Sequence, residues 1–320
     1  MDVRRLRVLR EVADRGTVAA AAAALSTTPS AISQQLKVLT REAGVALLEP
    51  DGRRLRLTAA GRALLPHVDE VLSALDRAVA EMDSFSETPR GTVRVALFPS
   101  GAALLLPRVL HRMATSGVTV DARDEDVPAS AVPRLLADYD VVLTHRDERA
   151  PTIASERVAV RTVLREPIDL VVPPDHPLAG RESVEVRELA NERWISVRGG
   201  FPVDDVLLSV AAVTGVEPRV VMRINDFRLI EELVSAGHGI ALMPRYASAH
   251  PAVARCRLAG VRAARVYDVA IRPGADLRPA VRAVLRAFDD EVASLLDAVT
   301  PPGDGPSRGP EPPESADRGR

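Results

Sequence analysis

The sequence predicts an α/β protein built from an N-terminal winged helix-turn-helix, a long linker helix and a two-lobed α/β domain. Three observations lead to this prediction: a helical pair followed by a basic hairpin, then an apolar heptad pattern, then about 210 residues of alternating strand-like and helix-like segments. The corresponding segments are residues 1–60 (winged helix-turn-helix), 58–83 (linker helix), 84–90 (hinge), 91–300 (two-lobed domain) and 301–320 (disordered tail).

The segment "RGTVAAAAAALSTTPSAISQQLKVL", Arg15–Leu39, allows three interpretations. A secretory signal peptide is disfavoured because acidic residues interrupt its basic head and its alanine core is short and weakly apolar. Low-complexity filler is disfavoured because alanine favours helices and apolar positions continue at helical spacing. We therefore expect two helices, with Thr28 capping the second and Pro29 at its first position. An ordinary amphipathic helix pair with a solvated face remains the alternative.

The second helix carries small and polar side chains on the face opposite its apolar residues. Such side chains can lie in a major groove and meet base edges or phosphates. The candidate DNA contacts on this face are Thr28, Pro29, Ser30, Ser33, Gln34 and Lys37.

A basic hairpin follows the helical pair. Two strand-like runs, Val45–Glu49 and Arg54–Leu57, are joined through Asp51-Gly52, which is a strong hairpin signal between apolar runs. Residues 1–66 hold 11 basic and six acidic residues, whereas the whole chain has a net charge of −2. A basic N-terminal segment followed by an acidic remainder is typical of a protein with a separate DNA-binding domain. The hairpin of such a domain, its wing, can contact phosphates or the minor groove. The candidate wing contacts are Arg53, Arg54 and Arg56.

The chain from Thr58 to Met82 is predicted to form one long helix, which Pro66 should kink rather than end. Apolar residues recur along it at alternating spacings of three and four, the heptad pattern of paired helices. We expect this seam to pair with its copy in a second chain; packing against the helix's own domain is the alternative. The seam residues are Leu65, Val68, Leu72, Leu75, Val79 and Met82.

The alternation beyond the hinge predicts mostly parallel sheets in two lobes, with lobe I formed by 91–160 and 267–300 and lobe II by 161–266. In open α/β sheets, ligands bind beyond the carboxyl ends of strands, often against helix N-termini. Helix N-termini and Arg198 would favour an anionic ligand, such as a carboxylic acid or an amino acid. The candidate ligand contacts are Ser100, Gly101, Thr144, His145, Ser196, Arg198, Gly199, Gly200 and Phe201.

Residues 1–66 resemble the N-terminal domain of LysR-type transcriptional regulators. "LRVLREVADRGTVAAAAAAL" matches the first two helices of that family, "TPSAISQQLKVL" its recognition helix, and "GVALLEPDGRRLRLTAAGRALL" its wing and linker. The chain departs from the family where Pro29 replaces a common glutamine and where Leu48 and Pro50 replace a common phenylalanine and arginine. The resemblance implies paired linker helices, often tetramers, and an effector domain similar to periplasmic binding proteins.

We therefore expect a cytoplasmic transcriptional regulator that binds double-stranded DNA as a homodimer or homotetramer. A small-molecule effector is expected to close the cleft between the two lobes and thereby change the spacing of the DNA-binding domains. A solute-binding protein using only the two-lobed domain is the alternative. No enzyme, cofactor or metal site is expected, because nucleophile-elbow, phosphate-loop and metal-ligand patterns are missing from the sequence. The single cysteine, Cys256, excludes an intrachain disulfide, and no apolar run approaches a membrane span.

Overall fold

The computed structural model describes residues 1–52, 54–84, 89–155, 157–247 and 250–299. The predicted wing residue Arg53, most of the predicted hinge and the whole of the predicted tail lie outside these residues. The described α-helices are α1 (Val3–Arg15), α2 (Val18–Ala24), α3 (Pro29–Ala43), α4 (Ala59–Ser84), α5 (Pro99–Met113), α6 (Val132–Leu135), α7 (Pro202–Thr214), α8 (Phe227–Ser235) and α9 (Pro279–Val299). The described strands are β1 (Leu48–Asp51), β2 (Arg54–Leu57), β3 (Gly91–Leu97), β4 (Val118–Asp124), β5 (Val141–Asp147), β6 (Ala159–Val172), β7 (Ser183–Glu185), β8 (Arg193–Ser196), β9 (Arg219–Arg223), β10 (Ile240–Pro244), β11 (Ala254–Ala259) and β12 (Ala264–Ile271).

Helices α1 to α3 and the β1–β2 hairpin form the N-terminal winged helix-turn-helix. Thr28 caps α3, because its hydroxyl accepts a hydrogen bond from the Ala31 N–H at 3.2 Å, and Pro29 occupies the first helical position as predicted. The hairpin is antiparallel, although β1 begins at Leu48 rather than at Val45, which is exposed. The domain encloses a small apolar core. Its buried members include Leu6, Leu9, Leu39, Leu47, Val68 and Leu72.

Helix α4 leaves this domain as a single helix that contains Pro66. It begins very close to the domain, since a Cβ on Gly61 would lie 2.1 Å from the Leu47 carbonyl oxygen. The prediction that the first half of the dimer seam pairs with a second chain is therefore wrong. Leu65, Val68 and Leu72 are only 4%, 1% and 1% exposed, and Val68 and Leu72 belong to the apolar core of the helix's own domain.

The C-terminal part has two lobes whose sheets meet at two crossing strands. The strand order is β4-β3-β5-β12-β6-β10-β8-β9, with β11 pairing to β6 and β7. Strands β3, β4 and β5 are parallel in lobe I, and β8, β9 and β10 are parallel in lobe II. The crossing strands β6 and β12 run antiparallel to each other, and β6 pairs with β12 in lobe I and with β10 in lobe II. The predicted alternation is thus confirmed, and every antiparallel strand pair that the structure describes in this part of the chain involves β6 or β12.

Two of the connections between strands are short helical turns. A 3₁₀ turn at Ala129–Ala131 leads into the single-turn α6, and a second 3₁₀ turn, at Val186–Leu189, precedes β8. Trp194 is 1% exposed in the core of lobe II.

Candidate nucleic-acid interface and ligand cleft

The predicted outward face of α3 is accessible in the structure. Thr28, Pro29, Ser30, Gln34 and Lys37 are all exposed. Ser33 is half-buried, and its hydroxyl donates a hydrogen bond to the Pro29 carbonyl oxygen at 2.9 Å. Its hydroxyl is therefore engaged by the helix backbone, and the hydroxyls of Thr28 and Ser30 lie within hydrogen-bond distance of each other at 3.0 Å, which leaves Gln34 and Lys37 as the freer hydrogen-bonding groups among these candidates.

The hairpin lies beside the end of α1, where the Leu55 N–H donates to the Gly16 carbonyl oxygen at 2.8 Å. Arg54 and Arg56 are exposed on β2. Arg56 forms an ion pair with Glu49 across the hairpin at 3.0 Å, and both side chains remain accessible to solvent. An exposed pair of this kind is weak, so Arg56 remains able to contact a phosphate.

The three loops predicted to line a cleft converge at His145. The imidazole ring stacks on Phe98 with ring centroids 4.0 Å apart, and its edge meets Phe201 at 6.1 Å. Phe98 and Phe201 are the N-cap residues of α5 and α7, and neither helix has a side-chain cap. His145 therefore lies between the N-termini of helices from different lobes, each of which begins at a proline.

The remaining cleft candidates differ in accessibility. Gly101 is buried under the Phe98 ring, because a Cβ there would lie 2.5 Å from Cζ of that ring. Thr144 is buried in the middle of β5 rather than at its end. Ser196 is also buried, with its hydroxyl donating to Asp204 at 3.3 Å. The loop glycines, Gly199 and Gly200, are exposed at the mouth of the cleft.

The floor of the cleft is a buried ion pair that sequence reasoning missed. Arg265 is fully buried on β12, and its Nε donates to Glu166 Oε2 of β6 at 2.8 Å. Its Nη1 donates to the Ser100 hydroxyl at 3.0 Å and approaches His145 Nδ1 at 3.3 Å, while Nη2 donates to the Tyr267 hydroxyl at 2.6 Å. The sequence signal for this network is weak, because Arg265 is one of two charged residues in the mostly apolar run "ARVYDVAI".

This network determines the charge state of His145. Burial and the neighbouring positive charge of Arg265 hold the pKa of His145 well below its usual 6.5, so the ring is neutral at pH 7. Because Nδ1 accepts from Arg265, the ring proton is assigned to Nε2. That buried Nε2 has no hydrogen-bond partner among the residues that the structure describes. The cleft therefore contains an unsatisfied N–H donor.

Arg198 bridges the lobes rather than lying free at the ligand position. Its guanidinium pairs with Asp126 of lobe I and lies over the Phe201 ring at 5.2 Å. Asn225 Nδ2 donates to the same Asp126 carboxylate at 2.8 Å. At the opposite rim, Arg149 of lobe I donates to the Asp205 carbonyl oxygen of lobe II at 3.1 Å. Polar contacts at both rims thus hold the lobes together.

The second half of α4 presents an apolar stripe to solvent. The predicted seam residues Leu75, Val79 and Met82 are 44%, 58% and 63% exposed, and Val71, one turn earlier, is 42% exposed. In this single chain they contribute to no buried core, unlike the first half of the helix.

Comparison with known proteins gives two family matches that together span most of the chain. Residues 3–62 match the bacterial regulatory helix-turn-helix protein, lysR family, and residues 86–293 match the LysR substrate binding domain. The transcriptional dual regulator GltC of Bacillus subtilis (strain 168) is 31% identical over 244 residues, 76% of this chain and 81% of GltC. A probable hydrogen peroxide-inducible genes activator of Mycobacterium leprae (strain TN) is 28% identical, covering 76% of this chain and 78% of that protein.

Solved structures show the same fold. A full-length OxyR variant from Pseudomonas aeruginosa matches with a TM-score of 0.67 at 16% identity, covering 90% of this chain and 98% of that one. In the described part of the chain, no helix is both long enough and apolar enough to cross a membrane. The family matches and the GltC relationship establish that this chain is a member of the LysR family of transcriptional regulators, with a helix-turn-helix DNA-binding domain and a C-terminal effector-binding domain.

Proposed function

We propose that this regulator binds operator DNA through the exposed face of α3 and the wing, and that an acceptor-bearing effector in the cleft modulates this binding. The observation that carries the effector part is the unsatisfied Nε2–H of His145, which lies between two uncapped helix N-termini. A buried donor without a partner is costly, and a ligand that supplies an acceptor removes that cost.

On DNA, the roles of the exposed side chains follow from their chemistry. Gln34 can form a bidentate pair with an adenine edge in the major groove, and Ser30 can bond either a base edge or a phosphate. Lys37, Arg54 and Arg56 carry the positive charge that neutralises phosphates. Arg53 belongs to the same proposed set, although it lies outside the described residues. The departure from the family at Pro29 leaves more of the base readout to Gln34.

In the cleft, the proposed effector is a small organic acid or amino acid. A carboxylate can accept from His145 Nε2 and from backbone N–H groups at the starts of α5 and α7, where the helix dipoles favour negative charge. The proposed set of contacts is completed by Ser100 and by the loop Ser196–Phe201, "SVRGGF". Because Arg198 is already paired with Asp126, an anion recruits it only by competing with that carboxylate.

The proposed assembly is a homodimer through Val71, Leu75, Val79 and Met82 of α4, with a tetramer formed by further contacts between effector domains. The proposed domain limits are those of the sequence analysis, with α4 extending to Ser84. We further propose that the protein works in the cytoplasm and catalyses no reaction, in keeping with relatives that are named as transcriptional regulators.

Selection of bound DNA from a random duplex library with the full-length protein tests the DNA-binding proposal. The parent should enrich a paired motif. Gln34→Ala should change the preferred bases, whereas Arg54→Ala should weaken binding to all sequences and reduce its salt dependence. Gln34 and Arg54 variants that both bind the enriched site like the parent would contradict the assignment. Arg94→Ala, in lobe I, provides the control, because an arginine outside the DNA-binding domain should change neither property.

A further inference from the structure

The DNA-binding domain rests on lobe I of its own chain through ion pairs that converge on one carboxylate. Asp14 lies near the end of α1, and its side chain is only 5% exposed. One of its oxygens accepts from Arg157 Nη2 at 2.7 Å, and the other accepts from Arg272 Nη2 at 2.9 Å. Both arginines belong to lobe I, so the carboxylate joins the two domains.

Two further contacts extend this junction. Arg157 Nε donates to Asp69 of α4 at 2.7 Å, so one guanidinium holds both α1 and α4. We call Asp14, Asp69, Arg157 and Arg272 the Asp14 clamp. Beside the clamp, Arg15 Nη2 donates to Asp138 Oδ1 of lobe I at 2.6 Å.

The clamp is polar and partly shielded from solvent. Burial lowers the pKa of Arg157, but Asp14 and Asp69 outweigh that effect and raise the pKa above its usual value, so Arg157 stays charged at any physiological pH. A cavity of about 1200 Å³ separates the middle of α4 from lobe I, and most residues lining it are polar or charged. At this cavity the contacts between α4 and lobe I include polar ones, such as the Ser73 hydroxyl that donates to the Pro273 carbonyl oxygen at 3.2 Å, and polar interdomain contacts of this kind can open.

The clamp leaves the DNA-binding face free. It uses the end of α1 and the side of α4, whereas the outward residues of α3 and of β2 are exposed. Closing or opening the clamp therefore changes the orientation of the DNA-binding domain without covering it.

The strands that carry the clamp also reach the ligand cleft. Arg272 follows directly after β12, which carries Arg265 toward its other end. Arg157 lies two residues before β6, which carries Glu166. The two strands pair along their length, with Ile271 opposite Ala159 near the clamp and Arg265 opposite Glu166 at the cleft. The clamp and the floor of the cleft are thus opposite ends of one antiparallel strand pair.

We propose that the Asp14 clamp is a releasable lock that fixes the orientation of the DNA-binding domain on lobe I, and thereby restricts the half-site spacing that the assembled regulator accepts. In a symmetric dimer, half-site spacing follows the distance between recognition helices, so a fixed orientation of each domain gives a narrow spacing. The spacing part rests on the proposed dimer and DNA contacts, whereas the lock itself rests only on the interdomain ion pairs.

The test uses the full-length protein and breaks the clamp from each side in turn. The double variant Arg157→Gln with Arg272→Gln removes both cations from Asp14 and leaves the DNA-binding domain unchanged. Asp14→Asn breaks the clamp from the other side and keeps the size of the side chain. Arg161→Gln, which removes an ion pair between β6 and Asp289 of α9 and leaves the clamp intact, is the matched control.

Two measurements decide the outcome. In small-angle X-ray scattering without DNA, the double variant and Asp14→Asn should have a larger radius of gyration than the parent and the control at the same oligomeric mass. In selection from random duplex DNA, both variants should enrich the parent's half-site motif over a broader range of spacings. Affinity for a single half-site should stay within about threefold, because the base and phosphate contacts are intact.

Scattering curves that coincide for the parent, the control and both clamp variants would overturn the lock. If the clamp variants have a larger radius of gyration but enrich the same narrow half-site spacing as the parent, the role of the clamp in half-site spacing is overturned. If even the parent enriches no sequence, the proposed DNA contacts fail, and the scattering result still decides whether the lock exists.

Discussion

At the residue scale, the cleft depends on a charge that has no exposure to solvent. Arg265 and Glu166 are both 0% exposed, and the arginine lies 4.9 Å from the Tyr267 ring and 5.7 Å from the Phe227 ring. A buried charge of this kind is tolerated because its partner and its hydrogen bonds compensate for lost hydration. The network also positions Ser100 and His145, both of which lie within hydrogen-bond distance of Arg265 Nη1.

Removing the partner of Arg265 should destabilise the effector domain strongly. Glu166→Gln leaves a buried guanidinium without a counter-charge, which costs about 3–5 kcal/mol in comparable sites. The free energy of unfolding from urea titration measures this loss. Asp289→Asn is the control, because its ion pair with Arg161 is half-exposed and should cost less than about 1 kcal/mol. Equal losses in the two variants would contradict the assigned role of the network.

His145 should make stability sensitive to pH in the mildly acidic range. Its pKa is about 6.5 when unfolded and lies well below that in the folded chain, so below pH 6.5 the unfolded state binds a proton that the folded state does not. This contribution is absent above pH 6.5, and the resulting destabilisation grows as the pH falls from 6.5 toward the folded pKa. Thermal melting of the parent from pH 7.5 to 5 measures it.

His145→Asn, which cannot titrate, should melt with a shallower dependence on pH than the parent. His238→Asn replaces an exposed histidine and should behave like the parent. Parallel curves for the parent and His145→Asn would show that the ring is not held neutral by the fold.

At the element scale, α4 serves two roles with one heptad pattern. Its first half completes the core of the winged helix-turn-helix, and its second half keeps an apolar stripe in solvent. The sequence cannot separate these roles, because the same spacing of apolar residues suits a helix packed in its own domain and a helix paired with a copy. The distinction appears only in the structure, where Val68 and Leu72 share a core with Leu6 and Leu9 of α1.

Aspartate on the two halves of α4 should therefore have different effects. Leu75→Asp should reduce the oligomeric mass in light scattering and leave the melting temperature of the DNA-binding domain nearly unchanged, because this side chain is 44% exposed within one chain. Leu72→Asp should lower that melting temperature, because it buries a charge in the domain core. Val45→Asp, at another exposed apolar position, is the control. An unchanged mass for Leu75→Asp would exclude the stripe as the main interface.

Local signals explain which other elements could be predicted. The Thr28 cap, Pro29 at the helix start and the Asp-Gly hairpin each act over a few residues, and the structure confirms the elements that they predict. Strand β11 forms by pairing with β6 and β7. Arg265 lies next to Glu166 and His145 because of the register in which β12 pairs with β6 and β5. Such contacts join residues far apart in the chain, so no local pattern reports them.

The convergence of the cleft loops was predictable for a different reason. Ligand sites lie at the carboxyl ends of parallel strands, so the alternation of elements located Ser100, His145 and Phe201 near one another. The pairing of charged side chains around the ligand cleft was not predictable. Arg198 was expected to meet a ligand anion, but its partner Asp126 comes from the other lobe, and only the closed arrangement of the lobes brings them together.

At the scale of the whole molecule, one strand pair spans from the ligand cleft to the DNA-binding domain. Strands β6 and β12 hold the buried ion pair of the cleft at one end and the arginines of the Asp14 clamp near the other. Polar contacts join the lobes at the cleft and join lobe I to α1 and α4. Junctions of this kind can rearrange at modest cost, so a ligand that favours one arrangement shifts the whole molecule toward it.

The central claim is that an effector bound at His145 changes how the paired DNA-binding domains engage DNA. Its most direct measurement is the protected length of the selected operator in footprinting, with and without an organic acid found to stabilise the full-length protein. The protected length should change for the parent and for His238→Asn, and should stay constant for His145→Asn and Ser100→Ala, which still bind the operator. A parent footprint that no stabilising acid alters, or a His145→Asn variant that responds like the parent, would contradict the claim.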